Sequence, residues 1–157
     1  PFIHGGAQER NMRGGTENVY GIIGLSEALT LANDNLDSHR EKVQKLKGHM
    51  ISSLEKKIKG VRFNGMSADI DQSLYTVLNV SIPNIDDQQM FLFNLDINNI
   101  AASGGSACSS GSDSGSHVLK EISTIDGCVN VRFSFSKYNT LEEVDYVVNK
   151  IIEISDF

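Results

Sequence analysis

An α+β fold, in which helices cover one face of a small and mostly antiparallel sheet, is predicted by three features of this 157-residue chain. Residues 74–82 and 129–135 alternate apolar and polar side chains and are rich in β-branched residues, as half-buried strands are. Apolar residues at helical spacing lie around these runs, most clearly over residues 35–59 and after Thr140. Finally, the strand runs are short and alternating, which favours antiparallel pairing with one polar face over a fully buried parallel sheet.

Bulk properties narrow the field further. The length suits one domain with a real core. A net charge of −6 speaks against non-specific nucleic-acid binding. No apolar run approaches a membrane span. The opening Pro1-Phe2-Ile3-His4-Gly5-Gly6 lacks a basic n-region and an apolar h-region, and the absence of an initiating Met suggests a piece of something longer. Two cysteines without paired spacing argue against a disulfide framework and suit a reducing cytoplasm.

Taken in order, residues 1–17 are glycine-rich and read as irregular. Thr16 is placed as the N-cap of a first helix with an apolar stripe of Val19, Ile22, Ile23, Ala28, Leu29 and Ala32. Arginines, glycines and a threonine ahead of a helix can hold a phosphate, although Glu17 opposes an anion there. A plain capped loop explains the same residues. A second helix is expected over 35–59, with Val43, Leu46, Met50, Leu54 and Ile58 inward and Gly60 just past its end. The intervening Lys42, Lys45, Lys47, Lys56, Lys57 and Lys59 read as a solvated face, or as a patch for an acidic partner. His4, His39 and His49 show no clustered spacing and are expected to face solvent.

Strands follow at 61–64 and 74–82, the second stopped by Pro83. Asp86 is expected to cap a helix holding Met90, Phe91, Leu92 and Leu95. A short strand at 100–102 and a brief helix at 117–122 flank a serine-rich interval. In 129–135 the valines and phenylalanines face one way, and Asn130, Arg132 and Ser134 the other. Arg132, so placed, suits a carboxylate clamp through its two-pronged donor fork. A surface arginine on a half-exposed sheet fits the pattern equally. Cys128 reads as a buried thiol. Thr140-Leu141-Glu142-Glu143 forms a capping box for a last helix that buries Val144, Val147, Val148 and Ile151.

The interval 101–116 is built almost wholly of Ser, Gly and Ala around one thiol, Cys108. No side chain in it is large enough to anchor a core, so a mobile surface loop is expected, with Cys108 in a chemical role. A flexible linker that happens to contain a cysteine is the plainer alternative.

Gly5-Gly6-Ala7-Gln8-Glu9-Arg10, Arg13-Gly14-Gly15-Thr16-Glu17-Asn18, Ser103-Gly104-Gly105-Ser106-Ala107-Cys108, Ser116-His117-Val118-Leu119 and Val131-Arg132-Phe133-Ser134 occur in this order. Together they resemble the C-terminal part of a cysteine desulfurase of the NifS/IscS type, in the class-V, pyridoxal-phosphate-dependent aminotransferase family. The resemblance runs from Pro1 to about Ile152, with Ala7 in place of a usual glycine and Gly104-Gly105 as a variation on the usual Ser-Gly-Ser. It implies the small C-terminal domain of a fold-type-I enzyme over 34–157, preceded over 1–33 by the end of the large cofactor domain and a connecting helix.

The same resemblance implies roles for three residues. Cys108 takes the position that accepts sulfur from the substrate as a persulfide, on a loop of the mobile kind. Arg132 takes the position that binds the substrate α-carboxylate. Thr16 matches a threonine that donates to the cofactor phosphate of the opposite subunit. No resident metal is implied. The complete enzyme would convert L-cysteine to L-alanine and pass sulfur to an acceptor in iron–sulfur cluster or thio-cofactor assembly. It would be a cytoplasmic homodimer joined through the large domain, without direct nucleic-acid or membrane partners. The Schiff-base lysine belongs upstream of a segment like Pro1-Phe2-Ile3, so this chain by itself is expected to be inactive and free of cofactor. Alternatives are a related class-V enzyme such as a selenocysteine lyase or aminotransferase, a non-catalytic interaction domain, or a metal or redox module using Cys108, His117 and Cys128.

Overall fold

A computed structural model of the chain describes residues 1–85, 87–104, 116–122 and 127–155. These form two compact units, Pro1–Ser38 and His39–Phe157. In the second unit the alternating runs become β2 (Val77–Pro83) and β3 (Cys128–Ser134), joined at one edge by the two-residue β1 (Arg62–Phe63). The sheet is antiparallel in the order β1-β2-β3, with Asn79 opposite Arg132 and Val80 opposite Val131. That register puts Leu78, Val80, Ile82, Val129, Val131 and Phe133 on one buried face. Packed with them are Leu46, Met50 and Leu54 of α2 (Leu36–Lys57), Phe91 and Leu95 of α3 (Gln88–Ile97), and Val144, Val148 and Ile151 of α5 (Leu141–Ile154). Each such side chain stabilises the fold by about 1.5–3 kcal/mol when fully buried. The architecture is α+β, with α2, α3 and α5 against one face of the sheet; α4 (His117–Glu121) is a single short turn of helix.

The helix ends follow the capping residues, with two displacements. Thr140 and Glu143 make the expected capping box at α5, the Thr140 hydroxyl accepting from the Glu143 N–H while the Glu143 carboxylate accepts from the Thr140 N–H. The Asn139 amide, and then the Thr140 N–H, hold the Glu143 carboxyl below the usual carboxylate range. Gly60, at φ +87°, turns the chain out of the last helical turn after Ile58, a conformation only glycine adopts cheaply. At α3 the cap is Asp87, whose carboxylate accepts from the Gln89 and Met90 N–H groups; Asp86 lies outside the described residues. At α1 (Val19–Asp34) the cap is Asn18, accepting from the Gly21 N–H at 3.0 Å, and not Thr16.

Other expectations are corrected by specific hydrogen bonds. Residues 100–102 form no strand, because the Ile100 N–H is spent on Leu95 O, closing the end of α3. Only Ser103 reaches the sheet, as an isolated antiparallel bridge to Arg132. Likewise β2 starts at Val77, since Leu74 O is turned back onto the Val77 N–H. Lys47 is not on the solvated face. Fully buried, it donates from Nζ to Ser73 Oγ at 2.7 Å and to Leu74 O at 3.1 Å. Burial pushes its ammonium pKa down, with the Asp69 carboxylate opposing the shift. His49 does not simply face solvent: its Nε2 lies 2.7 Å from Asp145 Oδ1. Cys128 is half-buried.

In the first unit, α1 carries the predicted apolar stripe but contributes no buried residue. Among the described residues, no helix is long and apolar enough to cross a membrane.

Candidate functional site

The second face of the sheet is polar, and its residues line up in a row across the strands. Ser103 bridges to Arg132 through both backbone bonds, its N–H donating to Arg132 O at 3.1 Å and the Arg132 N–H to Ser103 O at 2.7 Å. Arg132 is paired with Asn79, and the Asn64 N–H extends the row by donating to Asn79 O at 3.0 Å. Residues directly opposite in an antiparallel pair share a face, with Cβ atoms about 4.5–5.5 Å apart. The row is therefore Ser103, Arg132, Asn79, Asn64. A second row alongside carries Asn130, Ser81 and Arg62.

One amide ties the two rows together. Asn64 Nδ2 donates to Asn79 Oδ1 at 2.8 Å and to Asn130 Oδ1 at 2.7 Å. Asn130 is only 9% exposed, so its acceptor would be costly to leave unpaired. Among the described residues, the Arg132 guanidinium makes no ion pair, and the strand residues of this face include no carboxylate. An exposed, unneutralised guanidinium on a polar floor is suited to receiving a carboxylate. The amide cluster was not visible in the sequence, because Asn64, Asn79 and Asn130 meet only once the strands pair. A groove of about 380 Å³ between Met50, Ile100, Phe133, Phe135, Val144 and Val147 brings none of these groups together.

The loop that carries Thr16 is organised separately, within the first unit. Gly14 donates to Ile3 O at 2.9 Å, and a Cβ on Gly14 would sit 2.7 Å from Gly5 Cα, so this approach of two backbones requires glycine. Glu9, Arg10 and Asn11 all have positive φ, at 49°, 57° and 67°, a left-handed turn without a glycine. Arg13 is engaged within the loop: Nη1 donates to Gly15 O at 2.8 Å, and Nη2 pairs with Glu17 Oε2 at 2.5 Å. Its charge is thus offset by the very acid that was expected to weaken anion binding. Thr16 is exposed, and among the described residues neither its hydroxyl nor its N–H has a partner.

Cys108, with residues 105–115, lies outside the described residues, as does its expected mobility. Ser103 and Gly104 on one side, and Ser116 capping α4 on the other, frame that interval. Among the described residues, no group of three or more His, Cys, Asp or Glu is placed to hold a metal.

Comparison with known proteins agrees with these elements. Cysteine desulfurase IscS of Clostridium botulinum (strain Hall) is 40% identical over 157 residues, covering 98% of this chain and 38% of the relative. Cysteine desulfurase IscS of Dictyoglomus turgidum is 38% identical over 158 residues, covering 98% of this chain and 39% of the relative. The chain thus spans about two-fifths of the length of the curated relatives it matches. Among solved structures, a NifS-like protein from Rickettsia africae superposes with a TM-score of 0.76 at 31% identity, over 100% of this chain and 40% of that one. The family model for aminotransferase class-V matches residues 4–147, through both units and every element but the end of α5. The protein belongs to the aminotransferase class-V family.

Proposed function

We infer that this chain is the C-terminal part of a cysteine desulfurase that converts L-cysteine to L-alanine and carries the released sulfur as a persulfide on Cys108. The observation that carries this reading is the pair of backbone bonds between Ser103 and Arg132. They join the root of the cysteine-bearing interval to the strand position of Arg132, whose guanidinium makes no ion pair among the described residues, and Cys108 follows Ser103 by five residues. Similarity to cysteine desulfurases over 98% of the chain supports it.

Class-V aminotransferases and cysteine desulfurases are pyridoxal-phosphate enzymes, and the donors at Thr16 fit the phosphate of that group. The Thr16 hydroxyl and N–H are both unpartnered among the described residues, and Glu17, the nearest acid in sequence, is turned onto Arg13. When bound, the cofactor supplies an electron sink that loosens the substrate C–S bond. Arg132 holds the α-carboxylate through its fork and fixes the substrate's orientation. The Cys108 thiolate takes the substrate sulfur: a new S–S bond forms as the C–S bond breaks, leaving alanine and a persulfide. The persulfide then passes to an acceptor protein serving iron–sulfur cluster or thio-cofactor assembly. The complete protein works in the cytoplasm as a homodimer, Thr16 reaching the cofactor phosphate of the opposite subunit. Residues 1–33 belong to the large domain and its connecting helix, and 34–157 form the small domain.

The test uses the full-length protein. It is expected to form alanine from L-cysteine and to show a persulfide on Cys108 by mass spectrometry of the trapped peptide. Cys108→Ser is expected to lose the persulfide while keeping cofactor and substrate binding. Persulfide or sulfide production undiminished in Cys108→Ser would overturn the assignment.

A further inference from the structure

The Asn64 amide engages the oxygen end of Asn79. In the row Asn64, Asn79, Arg132, the Asn79 side chain stands between the other two. Its Oδ1 is held on the Asn64 side by the 2.8 Å hydrogen bond. That bond occupies the oxygen of the amide, so Nδ2 is the end still able to donate, on the residue directly opposite Arg132. Among the described residues, Asn79 Nδ2 has no acceptor. The orientation is doubly secured, because the same Asn64 nitrogen is also bound to Asn130 Oδ1 at 2.7 Å, on the strand that carries Arg132. Among the described residues, this half-buried amide nitrogen without an acceptor belongs to the residue directly opposite a guanidinium that makes no ion pair, and the strand positions of that face hold no carboxylate.

We propose that Asn79 is a second donor for the substrate α-carboxylate, working beside Arg132 and held in orientation by Asn64. The ligand class is an α-amino acid with a free carboxylate. This rests on the reading of Arg132 as the carboxylate clamp. One carboxylate oxygen and part of the other are served by the guanidinium fork, and the amide N–H supplies a further directional donor. Asn64 touches no ligand and is a positioning residue.

The discriminating variant is Asn79→Asp in the full-length holoenzyme. It retains the oxygen that accepts from Asn64, so the amide cluster is preserved, but it replaces the donor by a carboxylate oxygen that repels the ligand. Dissociation constants for L-alanine, which has the carboxylate, and L-alaninamide, which lacks it, are read by calorimetry, independently of turnover. L-Alanine affinity should fall by about tenfold or more in Asn79→Asp, in line with loss of a charge-assisted hydrogen bond, while alaninamide affinity does not fall. Asn79→Ala should show the same selectivity with a smaller loss, and KM for L-cysteine should rise with kcat little changed. Unchanged L-alanine affinity in both variants overturns the proposal, as does an equal loss for alanine and alaninamide, which marks a purely structural role. Arg132→Ala is the reference. If it weakens alanine selectively while the Asn79 variants do not, the Asn79 proposal alone fails; if Arg132→Ala has no effect, the clamp beneath it fails.

Discussion

Arg132 and Lys47 show how the same class of charge is put to opposite uses. Arg132 stands exposed with no counter-charge among the described residues, and its fork suits it to the carboxylate clamp proposed for it. In the full-length enzyme, Arg132→Ala should weaken substrate capture by about 1.5–3 kcal/mol, seen as a raised KM for L-cysteine, and Arg132→Lys should recover little of it. An unchanged KM in Arg132→Ala would refute the clamp. Lys47 is spent inside the fold, binding Ser73 and Leu74 where α2 meets the turn before β2. Its folded pKa lies below the ordinary value of about 10.4 that the unfolded chain keeps. Between those two values the unfolded chain binds more protons, so this residue's contribution to stability rises with pH. Denaturant titrations should therefore show wild type gaining on Lys47→Met as pH climbs towards about 10.4. A difference independent of pH would refute the buried-ammonium account.

At the scale of elements, the sequence was most legible where one signal acted alone. The alternation in β3 and the capping box of α5 both appear as read. It was least legible where neighbours competed for one backbone group. Thr16 and Asn18 both precede the α1 stripe as good caps, and the structure uses the Asn18 amide. Ile100 carries strand character, yet its N–H closes α3. The Lys47 position flanks the inward stripe of α2, and periodicity gave no sign of acceptors waiting in a distant turn. The turn at Glu9–Asn11 was equally hidden, since three non-glycine residues in left-handed conformation contradict local preference. That preference costs about 1–2 kcal/mol per residue, so the loop of Thr16 holds its shape against strain. Arg10→Gly is expected to raise the thermal stability of the chain by about 1 kcal/mol. A lowered melting temperature would mean that the Arg10 side chain contributes more than its backbone costs.

For the whole molecule, the two units differ in how far they satisfy themselves. The second encloses a continuous core from α2 to α5. In the first, the stripe residues Ile23 and Leu29 are 62% and 68% exposed, and α1 buries nothing. Burial of that stripe in the proposed full-length protein would explain an apolar helix with no internal work. Leu29→Ser should accordingly shift the stability of the 157-residue chain by no more than about 0.5 kcal/mol, as a surface change does. In the full-length protein the same substitution should lower the melting temperature clearly, and equal small effects in both would argue that α1 stays uncovered.

The amide at the centre of the polar face also carries a clock. Asn64 is followed by Gly65, whose missing side chain leaves its backbone nitrogen open to attack the neighbouring amide, and asparagine is among the thermally labile residues. Loss of ammonia in that attack closes a cyclic imide, and its opening by water puts a carboxylate at position 64, able only to accept. Asn79 and Asn130 would then have to turn around to donate to it, taking the Asn79 nitrogen from the carboxylate-donor role proposed for it. Full-length holoenzyme aged at warm, mildly alkaline pH should acquire an acidic form on isoelectric focusing, and that form should hold L-alanine less tightly than fresh protein while remaining folded.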